Sequence, residues 1–130
     1  MNSEEATKAS DVYSFALIVF EMLTKKKPYS NLQTTKDIFF EVVTNCGRPK
    51  FPEEEIAPYF REMIESCWAQ NPNERPNFED IVFALKNDER FVSDVDKNKF
   101  FEYVEMIEKS NEIQQKINEN ISLKIIENEK

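Results

Sequence analysis

The segment "DVYSFALIVFEMLT", residues 11–24, is apolar on nearly every side of a helix: Val12, Tyr13, Phe15, Leu17, Ile18, Val19, Phe20, Met22 and Leu23. Such a helix has no polar face to offer water, so it must be surrounded by protein. It cannot instead be a membrane span, because the apolar run from Val12 to Leu23 is too short and Glu21 interrupts it. A fold for this chain has to be assembled around that helix.

Three more helices follow. One is predicted from about Thr35 to Asn45, with Gly47 as its stop and Pro49 beyond. The next starts near Pro58, a residue suited to a first turn. Its apolar side chains Tyr59, Phe60, Met63, Ile64, Cys67 and Trp68 mark one face, and Pro72 closes it. The last opens at Asn77 as N-cap, with Glu79 and Asp80 suiting the positive end of the helix. Phe78, Ile81, Val82 and Leu85 are its expected buried face. Lys25, Lys26 and Lys27 form a charge cluster at the end of the first helix, and Glu53, Glu54 and Glu55 read as a solvated loop.

The composition changes after Asn87. "FFEYVEMI" is amphipathic, and beyond Lys109 the chain is polar apart from Ile113, Ile117, Ile121 and Ile125. A spacing of four drifts around a helix and does not hold a heptad seam. The ladder is read first as a frayed helix or one packed on the main body, with weak self-association or docking of a partner helix as the alternative. No segment alternates as a strand does. The expected class is all-α, with one domain over residues 1–87 and an acidic helical tail over residues 88–130.

One glycine and no histidine in 130 residues exclude much chemistry. A phosphate-cradling loop needs several neighbouring glycines. Triads and imidazole metal ligands need histidine. Cys46 and Cys67 are spaced for neither zinc nor a redox pair, and no signal-peptide pattern stands at Met1, which points to reduced thiols in the cytoplasm. The sequon at Asn120 carries no meaning without secretion. A net charge of −8 with no basic stripe makes nucleic acid and anionic membranes poor partners.

"SDVYSFALIVFEMLTKKKPYSN" resembles the central helix of the protein kinase C-lobe. "GRPKFP", then "REMIESCWAQNPNERPNFEDIVFAL", resemble the last helices of that lobe. Cys-Trp combined with Arg-Pro is most similar to the tyrosine-kinase-like group, and "RPKFP" favours its serine/threonine members. The resemblance covers about Ser10 to Lys86. It implies the C-terminal part of a C-lobe, from a domain that phosphorylates protein substrates with ATP and magnesium. The glycine-rich loop, strand lysine, catalytic-loop residues and Asp-Phe-Gly of a complete domain are not in this sequence. The chain alone is therefore expected to bind neither cofactor and to catalyse nothing. A degenerate remnant that binds partner proteins is the alternative.

The residue roles that the resemblance implies are supporting ones. Asp11 matches the aspartate that opens the central helix and bonds the catalytic-loop backbone; it also suits a plain N-cap. Ile18 and Met22 match positions beneath the apolar column that leads to adenine. Glu21 matches a position that faces substrate in some relatives. Trp68 and the Arg75-Pro76 pair match structural anchors, with Arg75 pairing to the glutamate of Ala-Pro-Glu, immediately upstream of Met1 by the family's spacing. No carboxylate partner for Arg75 is thus expected within the chain. Ala16 stands where the family usually has glycine, Phe20 where tryptophan or tyrosine is common, and Lys25 where glycine usually follows the helix.

Overall fold

The computed structural model describes residues 2–52, 56–93 and 96–128, the side chains of 125–128 excepted. The α-helices are α1 (Ser3–Thr24), α2 (Thr35–Val43), α3 (Pro58–Cys67), α4 (Phe78–Asn87) and α5 (Lys97–Asn128), with short 3-10 turns at Pro72–Glu74 and Glu89–Phe91. Among the described residues there is no strand, and the all-α expectation holds.

The first helix begins eight residues before Asp11. The Asn2 side chain accepts the Glu5 N–H at 2.8 Å, and the Glu5 carboxylate accepts the Asn2 N–H at 3.0 Å. This capping box satisfies two orphan donors and starts the helix there. Asp11 is therefore an exposed residue in the middle of α1, and its N-cap reading is corrected. The helix ends at Lys25, which takes the left-handed conformation at φ 55° and donates its N–H to the Glu21 carbonyl at 2.8 Å. Lysine thus occupies a conformation that glycine adopts at lower cost.

The stop of α2 also differs in detail from expectation. The left-handed residue is Cys46, at φ 53°, and not Gly47. The Gly47 N–H reaches back to the Glu41 carbonyl at 2.8 Å and ties the exit of α2 to the helix. What Gly47 supplies is room: a Cβ there would run into the Glu41 side chain, with Cγ at 2.7 Å. Helix α3 starts on Pro58 as expected, but it ends at Cys67, ahead of Pro72, which opens the next 3-10 turn. Helix α4 is capped by Asn77, whose side chain accepts the Asp80 N–H at 2.8 Å.

The core is a stripe of α1, Val12, Ala16 and Phe20, set against Ile64, Cys67, Trp68 and Ile81. These α1 residues recur every fourth position, so they share one face. Ala16 is fully buried, so its methyl is part of this packing. Of the expected α4 face, Ile81 is buried and Leu85 packs against the core, whereas Phe78 and Val82 are exposed. Phe78 instead meets Phe15 edge-on at 5.7 Å. The expectation that α1 is surrounded on all sides is corrected as well. Ile18 and Met22 are 59% and 71% exposed, because α3 and the turn at Pro72–Glu74 cover a single side of the helix.

The chain forms two compact units, Met1–Phe91 and Val92–Lys130. The first reaches Phe91 because that ring packs edge-on against Tyr59 at 5.1 Å and Phe60 at 5.0 Å. In the second, the Asp96 carboxylate accepts the N–H groups of Asn98 and Lys99 at the start of α5. Met106, Ile113, Ile117 and Ile121 are exposed along it. The Ile125 side chain and Glu53, Glu54 and Glu55 lie outside the described residues. No helix of the described residues is long and apolar enough to cross a membrane.

Candidate functional site

Two Arg-Pro dipeptides, Arg48-Pro49 and Arg75-Pro76, stand on separate loops. A residue before proline is driven out of the helical region into extended backbone. Arg75 obeys, at φ −76° and ψ 138°. Its side chain extends from the turn: Nε donates to the Ala69 carbonyl and Nη1 to the Ala9 carbonyl, both at 2.9 Å. The second bond ties the front of α1 to the connection between α3 and α4.

Arg48 converges on the same place. Its Nε donates to the Trp68 carbonyl at 2.7 Å, Nη1 to the Gly47 carbonyl at 2.8 Å and Nη2 to Gln70 Oε1 at 2.7 Å. Both guanidiniums lie over the Tyr13 ring, Arg75 at 5.0 Å and Arg48 at 5.2 Å from its centroid. A planar cation is attracted to the negative face of an aromatic ring. Helix α3 has no basic residue in its last turn. The two arginines, brought from elsewhere, place positive charge where its C-terminal carbonyls carry partial negative charge. Burial, followed by the Arg48 charge, pushes the Arg75 guanidinium below its ordinary value. It remains protonated, as arginine does in proteins.

These contacts are the partners that Arg75 finds within the chain. Among the described residues no carboxylate pairs with it, but two carbonyls and a tyrosine ring do. Beside it, a groove of about 470 Å³ runs between α1 and the start of α4, lined by Lys8, Ala9, Val12, Arg75, Pro76 and Phe78.

The Tyr13 hydroxyl lies 3.0 Å from that of Tyr29, which donates to the Gly47 carbonyl at 3.4 Å. Burial, then the hydrogen bond with Tyr13, raises the Tyr29 hydroxyl well above its ordinary value of 10.0. A folded value above the unfolded one adds stability at neutral pH, which is lost as pH rises past about 10. Absorbance at 295 nm should accordingly show a late phenolate step, beyond the ordinary tyrosine range, that accompanies unfolding. Tyr29→Phe should remove that late step. A titration curve that Tyr29→Phe leaves unchanged at its alkaline end would refute this assignment.

Of the residues singled out in the sequence, Trp68, Arg75 and Pro76 come together at the α3–α4 connection. Trp68 is buried against Phe20 at 5.8 Å and Phe51 at 5.5 Å. Asp11, Ile18, Glu21 and Met22 are exposed positions of α1, and Asp11 and Glu21 make no side-chain hydrogen bond or ion pair among the described residues. Arg48, Tyr13 and Tyr29 went unassigned in the sequence. The second Arg-Pro dipeptide was a usable signal for Arg48. Among the described residues no group of three or more Cys, Asp or Glu could hold a metal ion.

Comparison with known proteins matches residues 1–85 to the protein tyrosine and serine/threonine kinase family. The dual specificity protein kinase shkD of Dictyostelium discoideum is 44% identical over 77 residues, covering 58% of this chain and 10% of that protein. The probable serine/threonine-protein kinase drkC of the same organism is 33% identical over 90 residues, 66% of this chain and 11% of that protein. The serine/threonine-protein kinase STY17 of Arabidopsis thaliana is 40% identical over 90 residues, 69% of this chain and 15% of that protein. The chain thus spans a small part of the length of the curated relatives it matches.

Proposed function

Because the chain belongs to the protein tyrosine and serine/threonine kinase family, we propose that it is the closing, substrate-side part of a serine/threonine kinase domain of the tyrosine-kinase-like group. Residues 1–87 supply the kinase-like part and residues 88–130 a helical tail. The complete domain transfers the γ-phosphoryl group of ATP to a protein hydroxyl. The observation that carries this reading is the Arg75 tie, which holds the front of α1 to the α3–α4 connection through Ala9 and Ala69. Its remaining Nη group faces no carboxylate among the described residues, and the implied partner is a glutamate at the end of an activation segment. Asp11, Glu21, Ile18 and Met22 then serve at contacts made with the rest of such a domain. Cys46 and Cys67, both free, suit a reducing cytoplasmic setting.

The 130 residues alone should neither bind ATP with magnesium nor transfer phosphate, since positioning and electrostatics supply nearly all of this catalysis. Purified chain incubated with labelled ATP, magnesium and a generic protein substrate should label nothing above buffer. Turnover that an ATP-competitive inhibitor abolishes would overturn the reading.

A second reading, a helical module for protein partners or weak self-association, draws on the exposed Met106, Ile113, Ile117 and Ile121 of α5. The coding sequence upstream of Met1 separates the two. A continuous frame with Ala-Pro-Glu and a catalytic loop supports the kinase domain, and a stop codon with a stable transcript supports the module.

A further inference from the structure

We propose that Arg48 is a positioning residue for Arg75, the second half of a two-arginine clamp that closes on Tyr13 and the end of α3. The two side chains divide the work. Arg48 is immobilised, each of its three nitrogens donating to an acceptor 2.7–2.8 Å away. Arg75 uses Nε and Nη1 and keeps Nη2 without a partner among the described residues. They bind consecutive carbonyls, Trp68 for Arg48 and Ala69 for Arg75, and both lie over the Tyr13 ring. Movement of Arg48 therefore shifts both the ring and the turn that orient Arg75.

The fixed Arg48 charge has a second effect. It opposes the Arg75 charge, and it adds to the positive potential that a carboxylate meets at the open Nη2. A clamp with one closed arginine and one open arginine presents a single, oriented cation. Two mobile arginines would fold back onto nearby carbonyls and present none.

The proposal rests on the reading of Arg75 as an anchor, and the two can fail separately. In the ¹⁵N-labelled chain, the Arg75 Nε–H resonance reports its bond to Ala69 through its rate of exchange with water. Gln70 is exposed and bonds Arg48 Nη2. Gln70→Ala should speed Arg75 Nε–H exchange about threefold or more through local opening. Gln70→Glu, which keeps an acceptor for Nη2, should restore the slow rate. Arg48→Lys, which keeps the charge but loses the fork, should speed exchange further. Ile81→Val, a core truncation, corrects for any general loss of stability and should leave the Arg75 rate unchanged. An Arg75 rate that is slow in the parent chain and unmoved by Gln70→Ala overturns the role of Arg48 alone, and this arm decides even if Arg48→Lys does not fold. An Arg75 Nε–H that already exchanges freely in the parent chain overturns the anchor itself.

Discussion

Trp68→Ala should lower the stability of the first unit by about 3–5 kcal/mol, the cost of emptying a large aromatic site in a packed core. The indole is 5% exposed and touches Phe20 and Phe51, while the neighbouring Ile64 and Cys67 are fully buried. A void there has helices on two sides and little means of collapse. The Trp68 carbonyl that Arg48 binds is retained in alanine, so the loss belongs to the ring and not to the clamp. The midpoint of urea denaturation, followed by helical circular dichroism, measures it. A change below about 1 kcal/mol would mean that the site collapses freely and that Trp68 is not part of the core.

Arg75→Ala is expected to destabilise the same unit by about 2–4 kcal/mol. It removes two hydrogen bonds from a partly exposed donor, each worth about 0.5–1.5 kcal/mol net, and a ring contact worth about 0.5–1 kcal/mol. Arg75→Lys should recover less than half of the loss, since an ammonium cannot reach two diverging carbonyls and stack as a planar fork does. Thermal unfolding of the three proteins compares them directly. If Arg75→Ala melts with the parent, the bonds to Ala9 and Ala69 contribute nothing and the carboxylate remains the sole partner of consequence.

Features set by local chemistry were legible in the sequence. Asn77 with Asp80 three residues later marked the start of α4, Pro58 marked that of α3, and the run of Cys-Trp, Asn-Pro and Arg-Pro located the site. Features set by competition between neighbouring signals were not. Asp11 is a good cap by type, but Asn2 with Glu5 makes a reciprocal pair that Asp11 has no acidic residue three positions on to match. Gly47 looked like the left-handed residue of the α2 stop, yet close approach of Glu41 claimed the glycine and left Cys46 to adopt the strained angle. Arg75 was read as needing an ionised partner because a buried charge must be compensated. It is only half-buried, and backbone carbonyls, which no side-chain pattern records, supply part of that compensation.

The stripe Val12, Ala16 and Phe20 is completed by residues of α3 that come far later in the chain. Synthesis therefore presents the apolar helix before its cover exists. With roughly 50 residues between the two and translation at about 5–20 residues per second, the helix waits roughly 3–10 s. During that interval it is the kind of surface that chaperones hold and that aggregates recruit. The yield of folded protein from a ribosome then depends on how quickly the segment from Tyr29 to Trp68 emerges, and slow codons there would cost more product than slow codons in α5.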